Sequence, residues 1–315
     1  MNTSTVLPED HVYQFAASKE FSGGKFVCFA ARLSGLYRSA DGGNWQSAFQ
    51  SLNLSAPLAA LAVAISPDFE RDPSVFVGLN GGILHSSDGG QHWETAQIPS
   101  PPPVINALTI SPDYAQDGIL FAGTLEDGVL CSSDRGRHWN AWNFGLMDLN
   151  TNCLAISPNF TNDETLFVGT QSGIFRSANG GRAWREVSLP VGFEAVLSLA
   201  LSPDFVRDRT LFAGTENQGL LRSIDGGQTW KRLGRSRLKE PINAISRAPD
   251  FSVRPGILVL HGGALLVSTD GGKTWKLWRD DLLVGKDITA ILAPQGFGIN
   301  AAAFIGVADG TILHI

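Results

Sequence analysis

The chain has 315 residues, of which 43% are apolar and 17% charged, so it can bury a sizeable core and wholesale disorder is excluded. Its 24 Lys and Arg against 30 Asp and Glu leave a net charge of −6, with no global attraction for nucleic acid or anionic lipid. The 35 glycines imply many tight turns.

The first residues, MNTSTVLPEDHVYQF, carry neither a basic stretch nor the apolar stretch of a secretory leader, and no apolar run approaches 18 residues. Cys28, Cys131 and Cys153 are an odd set without metal-ligand spacing, so no disulfide framework and no metal site is expected of them. Both points predict a soluble, cytoplasmic protein with reduced thiols and no membrane span.

From residue 11 onward one unit is written again and again. Each copy opens on an apolar run such as LAVAIS (61–66), which predicts a first strand. A turn follows: ISPDFERD (65–72), ISPDYAQD (110–117), ISPNFTND (156–163) and LSPDFVRD (201–208), with weaker copies ASKEF (17–21) and APDF (248–251). There Pro supplies a fixed φ and Asp can cap the turn. Next come VFVGLNGGILHS (75–86), LFAGTLEDGVLCS (120–132), LFVGTQSGIFRS (166–177) and LFAGTENQGLLRS (211–223), each read as a hairpin of second and third strands. The unit ends in a box: SADGGNW (39–45), SSDGGQHW (86–93), SSDRGRHW (132–139), SANGGRAW (177–184), SIDGGQTW (223–230) and STDGGKTW (268–275). A fourth strand starts at the Trp. The third residues of the boxes are Asp41, Asp88, Asp134, Asn179, Asp225 and Asp270, at spacings of 47, 46, 45, 46 and 45. No stretch shows a convincing helical period, so almost no helix is predicted.

Repeats of about 45 residues with four strands each predict propeller blades. Residues 288–315 make a seventh copy that stops before its box: ITAILAP, AAFIGVA and GTILHI match first, second and third strands. At the other end TSTVLP (3–8) resembles the fourth-strand segments REVSLP (185–190) and ETAQIP (94–99). The expectation is therefore an all-β, seven-bladed β-propeller of four-stranded antiparallel blades, closed by an N-terminal strand completing blade 7 and so leaving no open edge. The predicted domain is a single propeller, 1–315, with blades at about 11–56, 57–103, 104–150, 151–195, 196–240 and 241–286, and blade 7 from 287–315 plus strand 3–8.

The box S-x-D-x-G-x-T-W resembles the Asp-box, or bacterial neuraminidase repeat, and the chain resembles that propeller superfamily over its whole length. The resemblance implies that Asp41, Asp88, Asp134, Asn179, Asp225 and Asp270 are structural: the carboxylate accepts backbone N–H groups across its own turn, Ser adds a hydroxyl, and Trp fills the gap between blades. Asn179 indicates that an acceptor matters more than a charge. The superfamily includes sialidases, xyloglucan-cleaving glycosidases, sortilin-type receptors and photosystem II assembly factors. The regularity of this chain is most like the non-catalytic photosystem II assembly factor-like and sortilin-like members, although the targeting segment of the former and the ten blades and disulfide modules of the latter are absent from the sequence.

A sialidase would use a Tyr nucleophile and three Arg converging on a carboxylate. Tyr37 and Tyr114 hold repeat positions, leaving Tyr13 to face a channel, and Arg38, Arg176 and Arg222 recur at one third-strand position, so no such triad is expected. A glycosidase needs two carboxylates some 5–10 Å apart; the candidates Glu126, Asp127, Glu216 and Asp309 fall on blades 3, 5 and 7. Each Ser-Pro-Asp turn offers two acids, too few for Ca²⁺, and the six histidines are scattered. No catalytic residues, cofactor or metal are expected.

Boxes and Ser-Pro turns lie on one face of the disc. The opposite face carries the second-to-third-strand turns and the connections between blades, which vary from copy to copy, and function is expected there. Its turn residues are Arg32, Asn80, Glu126, Asp127, Gln171, Glu216, Asn217, His261 and Asp309. Its connections include SLNLSAP (51–57), PSPPPV (99–104), GLMDLNTN (145–152), PVGFEA (190–195) and the basic stretch KRLGRSRLK (231–239) with Arg235, Arg237 and Lys239. Asn106, Asn152 and Asn243 recur at the start of first strands and are expected to hydrogen-bond between blades. The function expected is a non-catalytic scaffold whose partner is another protein, or alternatively a glycan bound or hydrolysed on the same face.

Overall fold

The computed structural model describes residues 9–18, 26–298 and 301–315. Seven antiparallel sheets follow one another along the chain, each a meander of neighbouring strands. Six are four-stranded, at 12–47, 62–95, 105–141, 151–187, 196–233 and 242–277; the seventh, at 288–314, has three strands among the described residues. The first strands pack on one another in order, and Val12–Ala17 of blade 1 packs on Ile288–Leu292 of blade 7, so the sheets close into a ring. The fold is a seven-bladed β-propeller. The predicted closing strand 3–8 lies outside the described residues. Within them closure rests on Asp10 N–H donating to Ala308 O (2.9 Å) and on Val12 packing against Gly306.

Second strands read as unbroken apolar runs because they are covered on both faces: Val75–Leu79, Leu120–Thr124, Leu166–Thr170 and Leu211–Thr215 are buried throughout. Their Phe makes the inter-blade joint. Phe76, Phe121, Phe167 and Phe212 meet the turn aromatic of the next blade, Tyr114, Phe160, Phe205 and Phe251, edge to face at 5.9, 5.8, 6.2 and 5.6 Å. That geometry suits two ring quadrupoles. The box of the next blade lies on the same ring: a Cβ on Gly136, Gly181 or Gly227 would fall 2.3, 2.8 or 2.7 Å from Phe76, Phe121 or Phe167. Gly42 abuts Phe304 in the same way, across the closure from blade 1 to blade 7. The box Trp shares the gap without filling it alone. Trp93 and Trp184 donate Nε1–H to Ala48 O and Trp142 O of the preceding blade (2.7 Å each), whereas Trp139 and Trp230 bond within their own boxes.

The Ser-Pro turns contain one helical turn each at Tyr114–Asp117, Phe160–Asp163 and Phe205–Asp208. The acid that ties them is the last one. Ser111, Ser157 and Ser202 donate to Asp117, Asp163 and Asp208, whose other oxygen accepts the N–H of Ile119, Thr165 or Thr210.

In each box the Asp takes donors on both carboxylate oxygens. Asp225 Oδ1 accepts from Ser223 Oγ (2.7 Å) and the N–H of Gln228 and Thr229, while Oδ2 accepts from Thr229 Oγ1 (2.5 Å). Asp270 and Thr274 repeat this, and His92 and His138 take the Thr place against Asp88 and Asp134. In the fourth box both partners change together. Asn179 Oδ1 still accepts from Ser177 and the Ala183 N–H, and residue 183 has no side-chain donor for a second oxygen.

These bonds set a pH dependence. Burial would raise the Asp225 carboxyl, but the donors from Thr229, Ser223 and Gln228 outweigh it and hold it at about 2. Asp88 and Asp134 are held at about 2 by the same balance, with His92 and His138 as the main donors. An unfolded Asp titrates at about 3.9. The folded values lie lower, so this stabilisation is complete above about pH 4 and is lost as pH falls through about 2. Denaturant melts are expected to show the midpoint dropping between pH 4 and 2, with a shallower drop in Asp225→Asn. A midpoint flat over that interval contradicts the role given to the boxes.

Candidate functional site

The face opposite the boxes is stitched together by its own hydrogen bonds, and acids preceding the first strands supply several of them. Asp10 accepts the Ser34 N–H (2.8 Å), Asp148 accepts the Ser172 N–H (2.8 Å) and Glu194 accepts the Asn217 N–H (2.6 Å). Each acid thereby holds the second-to-third-strand turn of its own blade. Burial would raise Asp148, but the N–H groups of Asn150 and Ser172 outweigh it and keep the carboxyl below its usual range. The sequence reading passed over all three acids. Their signal is an acid two or three residues before the first strand in blades 1, 4 and 5.

Some of the expected binding residues act as braces, and others stand exposed. Arg32 is ion-paired with Asp10 and lies over the Tyr37 ring at 4.3 Å, a brace within blade 1. His261 Nε2 accepts the N–H of both Lys239 and Glu240 (3.0 Å each), and burial pushes the ring's pKa down, so it holds the blade 5–6 connection as a neutral acceptor. Asp309 caps the Thr311 N–H, which lowers its carboxyl. Glu126, Asp127, Gln171, Glu216, Asn217 and Asn80 stand exposed. Arg235, Arg237 and Lys239 are exposed too, on a connection pinned by buried Leu238. Lys231 and Arg232 belong to the outer strand Lys231–Leu233 rather than to that connection. The structure brings Lys239 to His261 and Gln171 to Asn152 (3.3 Å). It leaves Glu126, Glu216 and Asp309 on separate blades.

The central channel, about 320 Å³, is lined by first-strand residues including Tyr13, Gln14, Asn106, Asn152, Asn243 and Thr289. Its amides join blades: Asn106 Nδ2 donates to Thr151 O (2.7 Å) and Asn152 Nδ2 to Val196 O (3.2 Å). Larger clefts, about 580 and 620 Å³, lie on the box side between outer strands, around Arg38 and Asp41 and around Arg176 and Asn179. They occupy the same place in two repeats, so they follow from the blade geometry.

Large apolar side chains mark the variable face. Phe144, Met147 and Phe193 are 80%, 82% and 82% exposed on the connections after blades 3 and 4, with Leu149 on the same connection as Met147 and Leu125 on the blade 3 turn; Leu54, Leu282 and Val284 are exposed on other connections. The Phe144 carbonyl also accepts the N–H of Trp184 (2.8 Å), so the blade 3–4 connection starts beside the fourth box. On the box side the β-branched Val206, Ile224 and Val253 are exposed. Exposed single aliphatics are ordinary, whereas grouped large ones mark contact surfaces.

The family model for the BNR/Asp-box repeat matches residues 266–277, the sixth box with its flanking strands. No curated protein matches the sequence. Among solved structures, YCF48 bound to D1 peptide superposes at TM-score 0.72 with 18% identity, over 98% of this chain and 94% of that one. The GH74 xyloglucanase from Xanthomonas campestris gives TM-score 0.71 and 16% identity, over 97% of this chain and 52% of that one. The extracellular domain of the hybrid two-component system BT4673 from B. thetaiotaomicron also gives TM-score 0.71 and 16% identity, over 97% of this chain. This chain spans only 38% of that domain. At such identities the likeness shows a shared propeller fold.

Proposed function

We propose that the chain is a non-catalytic scaffold that binds another protein through the face opposite its boxes. The observation that carries this reading is the group Phe144, Met147 and Phe193, solvent-exposed on connections that the repeat does not dictate. Aromatic and Met side chains are enriched in protein interfaces. The box face supports the contrast, since its acids and hydroxyls bond within their own turns. That YCF48, a propeller of matching size, is seen with a peptide is in keeping with the proposal. The competing reading is a glycan-directed protein of the kind the GH74 structures represent.

Co-purification with mass spectrometry identifies the partner, and two variants locate it. Phe144→Ser/Met147→Ser/Phe193→Ser is expected to lose capture with an unchanged melt, and Val206→Ser/Ile224→Ser/Val253→Ser to retain it. A glycan array and a chromogenic glycoside screen are expected to be blank. Hydrolysis that disappears in Glu126→Gln, or capture lost only in the box-face variant, would overturn the proposal.

A further inference from the structure

Resting on that proposed face, we infer that the sector spanning blades 3 and 4 takes a cationic amphipathic segment of the partner: Lys or Arg set beside large apolar side chains. The sector is contiguous. Gly128 N–H donates to Leu149 O (2.9 Å), and Asn143 Nδ2 donates to Asp127 O (2.8 Å), joining the blade 3 turn to the blade 3–4 connection. Gln171 N–H donates to Asn150 O (3.2 Å) and Ser172 N–H to Asp148, joining that connection to the blade 4 turn. Glu194 N–H donates to Ser172 O (3.3 Å), bringing in the connection that carries Phe193.

Across the segments 99–104, 125–128, 142–150, 171–173 and 188–195 there is no Lys, Arg or His, while Glu126, Asp127, Asp148 and Glu194 are all acids. Glu216 adds a carboxylate at the border, where Arg232 reaches the Gln218 amide (2.7 Å). Glu126, Asp127 and Glu216 are exposed and have no ion-pair partner among the described residues. The cation seen against the sector, Arg182, lies over the Trp142 ring at 5.9 Å and is itself paired with Glu164. Exposed apolar side chains on the same sector as exposed carboxylates without an ion-pair partner suit an apolar segment that brings positive charge. An anionic lipid surface would meet repulsion instead. Exposed cations of this face include Arg235, Arg237 and Lys239 on the blade 5–6 connection and Lys286 on the blade 6–7 connection, all outside the sector.

The probe is a displayed library of random twelve-residue peptides selected on the full chain, followed by affinity measurement of the enriched peptides. Peptides combining Lys or Arg with Phe, Leu or Trp are expected. Their affinity should fall at least about tenfold in Phe144→Ser/Met147→Ser/Phe193→Ser. It should fall several-fold in Glu126→Lys/Asp127→Lys at 10 mM salt, and less at 1 M, where the screening length drops from about 30 Å to about 3 Å. These side chains are exposed, and an unchanged melt verifies folding. Enrichment of acidic peptides, no enrichment, or loss confined to Arg235→Glu/Arg237→Glu overturns this inference; the last of these leaves the face proposal intact. Loss confined to the box-face variant overturns both. Two further results overturn the cationic-segment inference in favour of another occupant. One is flotation with phosphatidylcholine vesicles without peptide binding; the other is self-association in sedimentation that the triple variant abolishes.

Discussion

Phe167→Ala is expected to destabilise the ring by about 3–5 kcal/mol, the usual cost of emptying a buried aromatic site. Phe167 is fully buried, lies at the blade 4–5 joint, meets Phe205 edge to face at 6.2 Å and supports the box turn at Gly227. Its removal therefore opens a cavity against two elements of the next blade, and neither can collapse inward while its own sheet holds it. Chemical denaturation of the full chain measures the effect. A loss below about 1 kcal/mol would mean that the blades are held chiefly by the boxes. Val206→Ala, on an exposed neighbour of Phe205, is the control expected to change little.

Gly214→Val is the second large effect. Any Cβ at this second-strand position would sit 2.3 Å from Ser198 Oγ and 2.5 Å from Ile242 O, the first-strand backbone of the next blade. The carbonyl cannot move aside without shifting a strand, and Ser198 Oγ already donates to it at 2.8 Å. Overpacking of this kind typically costs about 1–3 kcal/mol and can exceed that. Val adds two methyl groups to the clash, so the upper end or an insoluble product is expected. The same approach recurs at Gly78 and Gly123, with Cβ distances of 2.7 Å to Ile105 and 2.5 Å to Thr151. A melt of Gly214→Val within about 1 kcal/mol of the parent would contradict this close approach of the blades.

The strand order and the blade number were legible because a 45-residue period constrains every copy alike: turn, hairpin and box recur in register. The blade joint was not. Phe167 and Phe205 read separately as a strand residue and a turn residue, and nothing local says that they meet across a blade boundary. The turn residues Arg32 and His261 looked available because their partners are distant in sequence: Asp10 is 22 positions earlier, and the N–H groups of Lys239 and Glu240 are 22 and 21 earlier. Exposure is likewise no property of a residue type. In GLMDLNTN, Leu146 is 6% exposed and its neighbour Met147 is 82% exposed, a difference made by which side chain tucks under the connection. Asn179 Oδ1 accepts the Ser177 hydroxyl and the Ala183 N–H, two of the donors that the aspartates take, while the Arg182 N–H turns to the Asn179 backbone carbonyl.

Hydrogen–deuterium exchange of the full chain, free and saturated with its captured partner, tests the binding face most directly. Slowed exchange is expected at 125–128, 143–150, 171–173 and 190–195, with the boxes at 86–93, 132–139 and 223–230 unchanged. Protection centred on the boxes, with 143–150 and 190–195 unaltered, would contradict the assignment of binding to the variable face.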